Sequence, residues 1–338
     1  MSIIISAIKI IFLIGFLVFI HEGGHFLVAK ACKVVVQEFS IGFGPKIWKK
    51  ETKETKYSLG IIPFGGYVQM LGESEKSDEE GSFSKAKISQ RAAIVLAGPL
   101  VNIVFGLIVY FILAVVSGLN LSTYVDNIID VAKENIGTQI IIGDEILEIN
   151  GQKTRIKSDI TRIMSENKGE EVNVKLKKNN EIINVVVKPT EYAEGYYILG
   201  IQVALRNATL GQRLYYSFWD TTGYLFDVGD TLARLVTGRV SVNQMSGPIG
   251  ISSMVAESKG IYDFVYLLSI ISVSLGVTNL LPIPALDGGR ILLLIIEKIR
   301  GKALEEKVEY EIQYISFMLL ILFAVYVSYN DILKVFYE

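Results

Sequence analysis

Four stretches of the chain are apolar almost without interruption: residues 3–29, 92–116, 261–281 and 314–329. A helix needs about 20 apolar residues to cross the hydrocarbon core of a bilayer, so each run predicts a transmembrane helix. The first run also admits a cleaved signal peptide or a plain signal anchor. Only Lys9 lies within it, no basic start precedes it and no small-x-small site precedes His21, which favours a retained span. Residues 34–71 have a different texture. Their β-branched and aromatic runs are punctuated by Gly42, Gly44, Pro45, Gly60, Pro63, Gly65 and Gly66, a pattern that predicts short strands and tight turns. A sheet lying at the membrane interface and a small soluble β-meander both fit it. The stretch GESEKSDEEGS, Gly72–Ser82, reads as a charged, solvated linker without chemistry.

From Leu121 to Leu205 the chain turns polar and mixed. Gly143–Gln152 predicts a strand running into an Asn150-Gly151 turn. Ser158–Glu166 predicts a short helix closed by Gly169. Val172, Val174 and Leu176 alternate with polar residues, the chain turns at Lys178–Asn180, and it returns through Val185–Val187. Together these form a compact α+β module. Its element order and its GDEILEING run resemble a bacterial PDZ domain, which implies binding of an extended peptide or free C-terminus at a sheet edge. Residues 213–236 are apolar enough to suggest a fifth span. However, Arg213, Asp220, Asp227, Asp230 and Arg234 share one helical face, which predicts an amphipathic helix on the membrane surface or against the module.

Composition changes the picture in three ways. The chain of 338 residues is 51% hydrophobic with a net charge of -2, so nothing electrostatic favours nucleic acid. A single cysteine, Cys32, excludes an internal disulfide framework and a cysteine-based zinc cluster. Lysines crowd the segment after the first span (Lys30, Lys33, Lys46, Lys49, Lys50, Lys53, Lys56), and basic residues also follow the third. Both loops are therefore expected in the cytoplasm, with both termini and the module outside.

Candidate chemistry lies in the spans. The chain has two histidines, and both stand in HEGGH, residues 21–25. Histidines at i and i+4 share one helical face, so His21 and His25 can reach one zinc ion, with Glu22 placed as a general base. Gly23 and Gly24 each cost a helix about 1 kcal/mol relative to alanine. A site that another segment must approach closely has a use for them. A catalytic zinc usually takes three protein ligands, and with no third histidine the remaining one must be a carboxylate. Asp287 stands out in NLLPIPALDGGRILLLII, where Pro282, Pro284, Gly288 and Gly289 predict broken helix lining a cavity.

HExxH in the first span together with N-x-x-P-x-P-x-L-D-G in the third resembles the site-2 protease family of intramembrane zinc metalloproteases, in its RseP-like branch with one PDZ domain. The runs GFGP, PFGGYV, AGPLVN and SGPIG carry the resemblance along nearly the whole chain. It implies zinc held by His21, His25 and Asp287, Glu22 as catalytic base, Asn279 with Pro282 and Pro284 helping to hold substrate, and the β segment presenting it. The implied fold is a polytopic α-helical membrane protein with four transmembrane helices, a membrane-associated β segment and an inserted extracytoplasmic α+β PDZ-like domain. The expected layout is a first span at 1–30, a cytoplasmic-side loop with the β segment at 31–91, and a second span at 92–117. The module follows at 121–205, the amphipathic helix and connection at 207–258, the third segment at 261–295 and the fourth span at 312–332.

The implied reaction is peptide hydrolysis within single-span membrane proteins of the bilayer, such as anti-sigma factors or remnant signal peptides, already shortened outside by another protease. The implied location is the inner (plasma) membrane, with the active site toward the cytoplasm. Two rivals remain at this point. A non-catalytic membrane-anchored PDZ scaffold explains the module and the spans but leaves HExxH unused. A metal transporter predicts polar residues spread over several spans.

Overall fold

The long apolar runs form helices that continue through internal glycines and, at Pro99, through a proline. A computed structural model describes residues 3–73, 75, 77–117, 123–137, 139–193, 196–203, 209–236 and 247–337. Among these, four helices are long and apolar enough to cross a membrane: Ile4–Ala31, Ile88–Ser117, Ile261–Asn279 and Glu306–Leu333. Leu121, Leu205 and Ser246, at the expected module ends and the start of SGPIG, lie outside the described residues. The chain divides into two compact units, residues 1–109 with 228–338, and residues 110–227.

In the first unit, α1 (Ile3–Ala31) ends where Lys33 takes a φ of 60° and the Val34 amide donates to the Ala29 carbonyl. The chain then enters β1 (Val36–Glu51) and β2 (Lys56–Met70). These are two long runs where short strands are expected, and the pairing reconciles the two. Phe39 pairs with Val68 on one side and with Tyr57 on the other, and Trp48 pairs with Leu59. Each run is therefore folded back on itself, giving four ladder segments in the order 46–51, 56–60, 38–41, 66–70. The folds occur at Gly42, Gly44 and Gly65, whose φ values of 77°, 79° and 100° suit glycine alone. Val36, Phe39, Val68 and Met70 pack with Ala29 and Ile94, so the sheet is anchored on the helices.

Helix α2 (Ile88–Ser117) contains Pro99, which removes one ladder donor. Small residues let it meet its neighbours closely. A Cβ at Gly24 would meet the Ala97 carbonyl oxygen at 2.6 Å, one at Gly106 the Ser269 oxygen at 2.6 Å, and one at Gly276 the Pro99 oxygen at 2.6 Å. Small residues at a crossing are how helices approach in a membrane.

The second unit, residues 110–227, carries short elements: β3 (Val125–Ile128), α3 (Lys133–Ile136), β4 (Glu145–Ile149), β5 (Gln152–Lys153), α4 (Lys157–Ser165), β6 (Val172–Lys178), β7 (Glu181–Val187), β8 (Thr190–Ala193), β9 (Tyr196–Ile198) and β10 (Ile201–Val203). They form a four-stranded sheet in the order β5-β4-β6-β7 and two-stranded pairs β10-β3 and β8-β9. The alternation of Val172, Val174 and Leu176 puts all three in the core, with Ile146, Ile149, Ile160 and Met164. Tight turns at Asn150-Gly151 and Asn179-Asn180, all at positive φ, close the hairpins.

Helix α5 (Leu210–Val236) starts in this unit, where Tyr216 and Trp219 pack with Ile156 and Ala114, and Arg155 stacks 4.2 Å from the Trp219 ring. Its polar face is not all solvated: Asp220 accepts a 2.8 Å hydrogen bond from Tyr110.

Four helices complete the first unit: α6 (Pro248–Glu257), α7 (Ile261–Asn279), α8 (Asp287–Arg300) and α9 (Glu306–Tyr337). The third segment, expected over 261–295 with broken helix around Asp287, comprises two helices joined by residues 280–286. Buried Asp331 on α9 accepts the Gly247 and Gly250 amides at 3.2 and 2.8 Å, satisfying the start of α6.

Candidate metal centre

His21 and His25 lie one turn apart on α1, and α8 begins at Asp287. The turn before α8 is compact because Gly288 and Gly289 sit against the Leu280 and Ile283 carbonyls, closer than any side chain allows. The carboxylate is delivered at a helix N-terminus, whose positive dipole end favours a negative charge. Asp287 Oδ2 lies 3.1 Å from His21 Nε2 and 3.6 Å from His25 Nε2. The two Nε2 atoms are 3.2 Å apart. All three ligand atoms fall within 4.8 Å of one another.

Whether these residues fit a metal turns on who carries protons. His25 Nδ1 lies 2.8 Å from the Ile94 carbonyl oxygen, which can only accept, so Nδ1 holds the hydrogen and Nε2 of the neutral ring is bare. A bare nitrogen, a second imidazole nitrogen and a carboxylate oxygen at these separations are an electron-rich cluster that a cation satisfies. Two nitrogens and one oxygen with room for a further ligand is the donor set of a catalytic zinc site. The second hydrogen bond from the distal ring nitrogen is likewise what metal-ligating histidines make.

Glu22, next to His21, lines the same pocket, as do Gly66, Tyr67, Val68 and Met70 of β2. Of the residues expected at a site, His21, Glu22, His25 and Asp287 come together. Asn279 ends α7, Pro282 and Pro284 fall in the 280–286 connection, and none of the three is among the residues lining this pocket.

Three further residues contribute to which the sequence reading assigned no role, although Gly98 and Asn102 lie in the AGPLVN run. Glu73 stands in the stretch read as a linker without chemistry. That reading is corrected: Glu73 lines the pocket, is 12% exposed and pairs with Arg290, three residues past Asp287. An arginine directly after an apolar D-G-G run was the available signal for a buried partner. Gly98 leaves room for both imidazoles, since a Cβ there would meet His25 Nε2 and Cε1 and would lie 2.9 Å from His21 Nε2. Asn102, fully buried in α2, brings its side-chain nitrogen to 3.3 Å from His21 Nδ1. A lone asparagine inside an apolar span was its signal.

Residues 9–323 match the model of Peptidase family M50. An inferred zinc metalloprotease of Clostridium acetobutylicum is 36% identical, with 94% of each chain covered. Zinc metalloprotease RasP of Shouchella clausii is 30% identical over 95% of this chain and 97% of its own. Regulator of sigma-W protease RasP of Bacillus subtilis is 27% identical over 98% of this chain and 99% of its own. The chain belongs to peptidase family M50, the site-2 protease family. It is accordingly a zinc metalloprotease. Among solved structures, the PDZ domain of the SdrC-like protein from Listeria innocua aligns with 26% of this chain and 97% of its own, at 24% identity and a TM-score of 0.22.

Proposed function

We propose that this protease cuts peptide bonds within the transmembrane segments of single-span membrane proteins, with His21, His25 and Asp287 holding zinc and Glu22 as the catalytic base. The observation that carries the reading is the meeting of HExxH, inside an apolar helix of membrane-crossing length, with the first carboxylate of α8. Bound zinc supplies Lewis-acid polarisation of a carbonyl and lowers the pKa of water toward about 7. Glu22 takes the proton of the attacking water and passes it to the leaving amine. Arg290 and Glu73, paired beside the pocket, hold the end of β2 against α8: Glu73 also accepts the Met70 amide at 3.3 Å.

A transmembrane substrate hides its carbonyls in its own helix and must be unwound before it is cut. Freed backbone groups then need new partners. The segment 66–70 is an edge of its sheet, paired on one side with 36–41, and its residues line the pocket. An extended substrate laid along that edge regains hydrogen bonds by strand addition. Asn279, with Pro282 and Pro284, is assigned to hold the substrate beyond the cut.

The lysine-rich loops support an orientation with the site toward the cytoplasm of the plasma (inner) membrane and the PDZ-like module outside. There the module excludes proteins not yet shortened by a first protease. The name of the Bacillus subtilis relative, a regulator of sigma-W protease, points to anti-sigma factors as substrates, alongside remnant signal peptides. The test uses purified protein, a model single-span substrate and Glu22→Gln. That variant should keep about one zinc per chain and lose cleavage, because a base is not a ligand. Normal cleavage by Glu22→Gln would refute the mechanism.

A further inference from the structure

We propose that Asn102 is a positioning residue that sets the tautomer of His21 and so delivers a bare Nε2 to the metal. The proposal rests on the reading of His21 as a ligand and extends it to α2.

His21 Nδ1 faces the Asn102 amide at 3.3 Å, and the other amide atom, Oδ1, is buried with no hydrogen-bond partner among the described residues. Two states of the pair follow. With the amide nitrogen toward the ring, Nδ1 accepts, the ring hydrogen sits on Nε2, and Nε2 can donate to Asp287 Oδ2 at 3.1 Å. In that state His21 has no lone pair for a cation. A half-turn of the amide exchanges oxygen and nitrogen without moving the rest of the side chain. Oδ1 then accepts from Nδ1–H, the hydrogen leaves Nε2, and Nε2 becomes a ligand. Asparagine is one of the few side chains that serves both states, because it carries both an acceptor and donors. A carboxylate would serve only the second, and a leucine neither.

The backbone around Asn102 is fixed for this task. Its carbonyl accepts the hydroxyl of fully buried Ser272 on α7 at 2.8 Å. One turn and two turns earlier on the same face of α2 stand Gly98, which clears both rings, and Ile94, whose carbonyl takes the His25 Nδ1 hydrogen. One stripe of α2 therefore serves both imidazoles. His25 receives a backbone acceptor that cannot change, and His21 an amide that can.

The experiment measures zinc release to a competing chelator from the purified full chain. It compares wild type, His21→Ala, Asn102→Leu and Asn102→Asp. Removal of an outer hydrogen-bond partner of a ligand weakens metal binding by about 10–100-fold, and Asn102→Leu should show a loss of that size. Asn102→Asp should hold zinc at least as well as wild type. A merely structural role would give the reverse order, since a buried charge disturbs packing more than leucine does. Equal loss in both variants, or wild-type retention in Asn102→Leu, overturns the proposal. If His21→Ala keeps its zinc, the ligand reading fails and takes this proposal with it. If His21→Ala loses zinc while Asn102→Leu does not, the ligand reading stands and the proposal alone fails.

A second measurement guards against misfolded variants. The chain has two histidines, so a 15N-histidine sample of the zinc form shows one pair of ring-nitrogen signals for each. Both Nδ1 atoms should be protonated in wild type, and a bare Nδ1 on His21 overturns the proposal. Asn102→Leu should shift one Nδ1 signal and leave the other in place. Two unmoved signals count against it.

Discussion

Replacing Gly98 with alanine should empty the metal centre while leaving the helices folded. The added Cβ would lie 2.6 Å from His25 Cε1 and 2.9 Å from His21 Nε2. Carbon atoms rest at about 3.5–4.0 Å, so the rings must retreat by roughly 1 Å. Zinc–nitrogen bonds are about 2.0–2.1 Å long, and working sites hold them to about 0.2 Å. The displacement is several times that tolerance, and it acts on both of the imidazoles proposed to hold the metal. Absorbing it in the backbone would mean moving α2 off α1 and opening the close contact where Gly24 meets Ala97.

The fold loses little. Overpacking costs about 1–3 kcal/mol, and alanine returns about 1 kcal/mol of helix propensity. Zinc retention should therefore fall by more than the roughly 10–100-fold typical of outer-partner mutations. The assay is zinc per chain after dialysis against a fixed chelator, with the unfolding temperature of the metal-free chain as control. A Gly98→Ala protein that keeps about one zinc and cleaves at the wild-type rate would show that the two rings are not held where the geometry places them.

The neighbouring glycines of HEGGH should part company in thermal unfolding. Gly23, with no atom within 4 Å of its added Cβ, should accept alanine with a gain of up to about 1 kcal/mol. Gly24→Ala should instead lose about 1–3 kcal/mol against the Ala97 carbonyl. Asp220→Asn should unfold later than wild type at pH 7, with the advantage shrinking toward pH 4. Burial pushes the Asp220 carboxyl above its usual range despite the Tyr110 hydrogen bond. Its contribution is thus full below the unfolded value of 3.8 and falls as pH rises through the folded one. An equal difference at both pH values would count against that cause. For orientation, Cys32, the single thiol, should resist a membrane-impermeant maleimide in intact cells, whereas a cysteine placed at Asn179 should react. The reverse labelling would overturn the proposed topology.

What could be read from the chain were features whose cause is local. The four helices of membrane-crossing length follow from run length alone, and the hairpin of β6 and β7 from alternation around Asn179-Asn180. His21 and His25 were legible because the chain has no other histidine, and Asp287 because two prolines and two glycines announce a broken helix around it. The β segment was legible as glycine-punctuated strands, but its double pairing depends on positive φ at Gly42, Gly44 and Gly65, which composition does not reveal. Glu73 was hidden among acidic neighbours. What distinguishes it is Arg290, more than two hundred residues away. Gly98 and Asn102 act only by what they face across a helix crossing, and a helical period in α2 says nothing about which stripe meets α1.

That crossing explains why polar groups persist in an apolar helix. A charged residue at a bilayer centre costs about 3 kcal/mol or more on insertion scales, and a buried polar atom without a partner costs about 1–3 kcal/mol. Along α2 the partners run opposite to those on α1: Ile94 meets His25, Gly98 meets both rings, and Asn102 meets His21. The match works because both helices repeat every three to four residues, so imidazoles spaced i, i+4 on one find partners spaced i, i+4, i+8 on the other. It also needs the helices close enough for a side chain of α1 to reach a backbone carbonyl of α2. Gly24 against Ala97 gives that approach. The second glycine of HEGGH therefore belongs to the candidate metal centre as much as the histidines do, by setting the distance at which His25 finds its acceptor.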